Sequence, residues 1–128
     1  MIIVTNILQK IASKFRRYAE SNILNDYKRR LGNMAASAIF KLPDVCSCPE
    51  KIFLEDNTSI FENSKFIISP LGEKGKFIMK QYSNAAQGLT VITGNHNRHV
   101  GEPSIFAADS RKYDPDLDVI VEEDVSIG

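Results

Sequence analysis

The sequence has no net charge, no apolar run long enough to cross a membrane, and only two cysteines and two histidines in 128 residues. Each shortage excludes something. Sixteen basic side chains against sixteen acidic ones remove the overall positive field that a nucleic-acid partner calls for, so no nucleic acid is expected. The opening "MIIVTNILQK" is interrupted by Thr5, Asn6 and Gln9 before it reaches the length of a secretory or membrane-spanning segment, so a cytoplasmic location is expected. Cys46 and Cys48 stand as Cys-Ser-Cys with no second cysteine or histidine cluster nearby. That is not zinc-finger spacing and implies no disulfide framework, so buried or half-buried thiols are expected.

What remains is an ordinary globular composition, 43% hydrophobic, at the length of one domain with a modest core. Its charge is unevenly spread. Residues 1–31 carry Lys10, Lys14, Arg16, Arg17, Lys28, Arg29 and Arg30 against Glu20 and Asp26. From Gly101 onward, Arg111 and Lys112 face Glu102, Asp109, Asp114, Asp116, Asp118, Glu122, Glu123 and Asp124. Two solvated faces account for this asymmetry, and membrane association through the basic segment is not expected.

Ile3, Ile7, Leu8, Ile11, Phe15 and Tyr18 recur at spacings of three and four, and Tyr27 and Leu31 continue a second stripe after "SNILND". The spacing predicts an N-terminal helical segment over residues 1–33, as one helix or as two broken near Ser21 and Asn22, with Gly32 in the C′ position. Beyond Gly32 the period changes to six. Leu54, Ile60 and Phe66 are six apart, as are Met79, Ala85 and Val91, and then Val121 and Ile127. A second small or apolar residue follows four places later at Thr58, Ser64, Ser83, Leu89 and Val125. Asp56-Asn57, Glu62-Asn63 and Glu123-Asp124 fall where a tight corner needs tolerant residues. A sandwich of short antiparallel strands is the ordinary alternative. It does not account for one six-residue phase shared by three separated blocks, whereas a parallel β-helix of hexapeptide repeats does.

Both histidines lie in "TVITGNHNRHVG", residues 90–101, directly after an apolar run. Such a segment can serve as a metal site, a catalytic base or a polar turn. His96 and His99 form His-x-x-His with no third imidazole in the chain, so no metal is expected.

The blocks "IFLEDNTSIFENSKFIIS", "KFIMKQYSNAAQGLTVITGNH" and "DVIVEEDVSIG" resemble the hexapeptide-repeat acyltransferases, which include the maltose and galactoside O-acetyltransferases. The resemblance implies a mainly β fold: a left-handed parallel β-helix over residues 34–128, with an excursion loop at 94–118, behind the N-terminal α-helical segment. It further implies a homotrimer with acetyl-CoA as co-substrate and a sugar-like small molecule as acceptor. His96 would be the general base, since an imidazole keeps a usable neutral fraction at cellular pH. Asn84, Asn95 and Arg98 would bind substrate, with Asn97 and His99 as further polar loop residues.

The chain departs from the family pattern in three ways. Glu55, Phe61, Lys80, Ala86 and Glu122 replace the glycine that follows the first apolar residue of a repeat, and Gly128 keeps it. Phe61 also stands where sugar O-acetyltransferases often carry an acceptor-contacting asparagine. The ending "VIVEEDVSIG" stops inside a coil, so a C-terminally truncated acyltransferase is expected, and the alternative function is a non-catalytic β-helix that binds or scaffolds.

Overall fold

The computed structural model describes residues 1–94 and 116–128. One helix, α1 (Ile2–Arg30), precedes eleven short strands among these residues. Residues 2–30 contain neither glycine nor proline, so nothing breaks the helix near Ser21 and it runs through as a single rod. Its end differs from the sequence expectation. Leu31 caps the helix with φ −56° and ψ 141°, and Gly32 is not left-handed. Glycine is required at position 32 for another reason: a Cβ there would sit 2.4 Å from the Glu50 carbonyl oxygen and 2.7 Å from the Phe53 ring. The chain needs the close approach, not a Schellman cap.

The strands are β1 (Asn33–Met34), β2 (Ile39–Phe40), β3 (Val45–Cys46), β4 (Ile52–Leu54), β5 (Ser59–Ile60), β6 (Lys65–Ile67), β7 (Phe77–Met79), β8 (Asn84–Ala85), β9 (Thr90–Ile92), β10 (Val119–Val121) and β11 (Ser126–Ile127). They form three parallel sheets, ordered β1-β4-β7-β10, β2-β5-β8-β11 and β3-β6-β9. Consecutive strands therefore fall on successive sheets and every third strand stacks on its predecessor, an arrangement consistent with a parallel β-helix.

Register explains the six-residue period. Met34, Leu54, Met79 and Val121 are aligned on the first sheet, Phe40, Ile60, Ala85 and Ile127 on the second, and Cys46, Phe66 and Val91 on the third. The coil at 34, 40 and 46 is absent from the repeat as read in the sequence, because methionine, phenylalanine and cysteine disguise its phase. Inside the coil, Phe66 lies between Phe40 and Phe77 with ring centroids 5.9 and 5.5 Å away. Burying each such side chain contributes ~1.5–3 kcal/mol. Thr58, Ser64 and Ser83 fill the second inward position and are buried. Leu89 is half-buried and Val125 is exposed, since among the described residues the last coil is stacked on one side only.

The corners depend on backbone handedness. Asn57, Asn63, Tyr82 and Asp124 all have φ between 57° and 63°, and Gly88 has φ 82°. Each stands three places after an aligned inward residue, so the second member of Asp56-Asn57, Glu62-Asn63 and Glu123-Asp124 makes the left-handed turn.

Candidate functional site

Two of the three corners are uniform. Residues 35–38, 55–58, 80–83 and 122–125 join the first sheet to the second, and residues 41–44, 61–64 and 86–89 join the second to the third. Every insertion falls on the third corner, where the chain passes from the third sheet back to the first. There the connections are residues 47–51, 68–76 and the long stretch from 93 to 118.

Lys51 organises this corner. Cys48 adopts φ 48° and turns the chain into a short 3-10 helix, Pro49–Lys51, which carries the lysine inward until it is 9% exposed. A buried ammonium must satisfy its donors. Lys51 Nζ donates to the carbonyl oxygens of Ser69 at 2.6 Å, Leu71 at 3.1 Å and Lys74 at 2.8 Å. Three carbonyl dipoles thus take the place of a carboxylate, and the 68–76 loop is closed around one cation.

Ser69 then fastens the two ends of the excursion. Its amide donates to Thr93 Oγ1 at 3.0 Å, on the side where the chain departs. Its hydroxyl donates to Asp116 Oδ2 on the side where the chain returns, and accepts from the Leu71 amide at 3.2 Å. Space around this knot is tight. At Gly75, φ +80°, a Cβ would lie 3.2 Å from both Ser69 Cβ and Thr93 Oγ1, and at Gly94 it would lie 3.3 Å from Ser69 Cβ. The return limb is also held where the Lys76 amide donates to Asp118 Oδ1 at 2.9 Å.

Beside the corner, on the outer surface of the first sheet, Asn33, Phe53, Glu55, Lys76 and Ile78 line an open groove of about 280 Å³. Lys76 Nζ stands 5.7 Å from the centre of the Phe53 ring, within cation–π reach. The groove combines an aromatic floor with one cation and one carboxylate, which suits a small polar ligand with a flat apolar part.

Of the residues expected to act, His96, Asn95 and Arg98, together with Asn97 and His99, lie outside the described residues. Asn84 is exposed on β8, where its Oδ1 accepts from Ser126 Oγ at 2.9 Å. It belongs to the second sheet, whereas the excursion departs from the third. Within one chain, then, Asn84 stands on a different face from the corner that launches residues 95–115. Burial disfavours the Cys46 thiolate, pushing its thiol up to about 11, which weakens it as a nucleophile at neutral pH.

Lys51, Ser69, Thr93 and Asp116 were missed by the repeat pattern. The one sequence signal was the interruption of the period by "SPLGEKGK", which marks an insertion without revealing which side chains meet across coils. Comparison with family models, curated proteins and solved structures finds no match to this chain.

Proposed function

We propose that this chain is an acetyl-CoA-dependent O-acetyltransferase of the hexapeptide-repeat type, with a left-handed coil, a cytoplasmic location and a homotrimeric assembly. The observation that carries the reading is the fastening of Thr93 and Asp116 through Ser69. Both ends of the segment that bears the chain's two histidines rest on a corner braced by a buried lysine, and a catalytic base needs such a rigid support. Outward-facing Val45, Ile67 and Ile92 on the third sheet are each more than two-fifths exposed, which favours a subunit contact on that face.

In this mechanism His96 takes the proton of an acceptor hydroxyl as its oxygen attacks the thioester carbonyl carbon of acetyl-CoA. The tetrahedral intermediate then collapses, the carbon–sulfur bond breaks, and the proton passes to the departing CoA sulfur. The acyl group moves directly between substrates, and Asn84, Asn95 and Arg98 bind the sugar-like acceptor. No metal takes part.

The test is the rate of CoA release from acetyl-CoA with a panel of sugars, for wild type and His96→Ala. The expected result is turnover that falls by at least about a hundredfold in the variant with an unchanged circular dichroism spectrum. Equal turnover in the two proteins would remove His96 as the base. A second reading, a non-catalytic β-helix that binds or scaffolds, is favoured by Phe61, which is 39% exposed where an acceptor contact is expected. No CoA release with any acceptor, joined to no calorimetric binding of acetyl-CoA, would select it.

A further inference from the structure

Helix α1 has 29 residues and buries none of them, so at 1.5 Å per residue a rod of about 43 Å stands on the coil by one end. Only its last turns are attached. Leu24 and Tyr27 pack against the core with Leu31 behind them, and the Leu31 amide donates to the Tyr27 carbonyl at 3.0 Å. The remainder presents Ile3, Val4, Ile7, Leu8, Ile11, Phe15 and Tyr18 to solvent, all between 46% and 74% exposed. At 100° per residue these side chains occupy an arc of about 140°, with Thr5, Asn6, Gln9, Ser13 and Arg16 on the opposite side.

The charges flanking that arc are of one sign. No aspartate or glutamate occurs before Glu20, and Glu20 lies 3.9 Å from Arg16 on the polar side. Lys10 and Arg17 lie just outside one edge of the apolar arc and Lys14 just inside it, and none of them forms an ion pair with a described residue. A second copy of the helix would bring a matching set of cations to the seam with no carboxylate to pair them, which is the opposite of what helix–helix pairing favours. An anionic lipid surface supplies the missing charge. Its headgroups meet the lysine and arginine ends while their aliphatic stems and the isoleucines enter the acyl boundary, with Phe15 and Tyr18 at interfacial depth.

We infer that residues 2–19 of α1 form an in-plane membrane anchor that binds anionic phospholipid surfaces and holds the β-coil beside the bilayer. An in-plane anchor departs from the expectation of a solvated basic face, and the exposure of the apolar stripe is what supports it. The inference is independent of the catalytic reading.

The test uses the full chain in sedimentation with vesicles of phosphatidylcholine alone and of phosphatidylcholine with phosphatidylglycerol, at low and at high salt. Light scattering without lipid measures self-association. We expect partition onto the anionic vesicles, weakened by salt, reduced about a hundredfold by combined Lys10→Gln, Lys14→Gln and Arg17→Gln at low ionic strength, and lost in Ile7→Asp with Ile11→Asp. Glutamine is a good helix former, so the charge variant reports on binding even where the aspartate variant loses helicity. Three results would overturn the inference: no partition onto anionic vesicles, partition unaffected by the charge variant, or a lipid-indifferent oligomer that Ile11→Asp dissociates. The last would assign the stripe to a second copy.

Discussion

Tyr82 is the residue whose backbone conformation least suits its side chain. It takes the left-handed corner position with φ 63° and is 59% exposed, so its ring offers little packing in return for the steric cost. Asparagine occupies the equivalent corners at Asn57 and Asn63. Tyr82→Asn should therefore stabilise the protein by ~1 kcal/mol, read as a higher urea midpoint at unchanged slope. Cys46 yields a prediction with a sign. Its folded pKa lies near 11, above the ordinary 9.0, because burial disfavours the thiolate, with the charges of Arg30 and Glu50 as smaller influences. A raised folded pKa means stability is fully present below pH 9 and declines as the pH climbs toward 11. Folded protein reacted with iodoacetamide should accordingly show a Cys46 alkylation rate that is still climbing with pH above the ordinary thiol range, and a plateau near pH 9 would contradict this. Ser64 carries the opposite lesson: its buried Oγ has no hydrogen-bond partner among the described residues, so Ser64→Ala should be neutral or stabilising, by up to ~1 kcal/mol in thermal unfolding.

Among the elements, the corner between the third and first sheets concentrates the polar interactions that link different coils. Lys51→Met would leave three carbonyl groups without their donor, whereas Lys41 is exposed. The expected loss is about 2–4 kcal/mol for Lys51→Met and under about 0.5 kcal/mol for Lys41→Met, compared by urea unfolding. Hydrogen exchange in residues 68–76 should accelerate in the first variant alone. This corner also marks how far the repeat could be read. The inward phase at 54, 60 and 66 and at 79, 85 and 91 was legible because those side chains share one environment, and so were the asparagine and aspartate corners. Lys51 was not legible: a lysine in "PEKIF" has no local feature that distinguishes a buried cation from a solvated one. Its three partners come from a loop some twenty positions away.

For the molecule as a whole, coil and helix depend on each other little. The coil's core extends from Leu31 to Val121 and includes no residue before Leu24 even as a partly buried partner. Removing residues 1–22 should shift the unfolding midpoint by no more than a few degrees, and a collapse of the coil on truncation would show that the helix contributes packing after all. Stability in such a stack is nearest-neighbour in character. Damage at Phe66, which contacts the rings on either side, should spread further than damage at Ile127, so Phe66→Ala is expected to cost ~3–5 kcal/mol and Ile127→Ala clearly less.

The sequence was enough to point to a parallel coil, because a parallel stack places residues of equal phase in the same interior and the spacing of apolar residues along the chain exposes the period. It was enough, too, for an N-terminal helical segment, though not for whether it breaks near Ser21, and for the long departure from the repeat after Val91, but not for the shorter insertions at 47–51 and 68–76. Tertiary structure decided the rest. Gly32 is a matter of clearance from Glu50 and Phe53. Ser69 joins positions 93 and 116 because coils far apart along the chain are adjacent in the stack. The apolar stripe of α1 reads in sequence like any helix face awaiting a core, and only the packed coil shows that no described residue covers it.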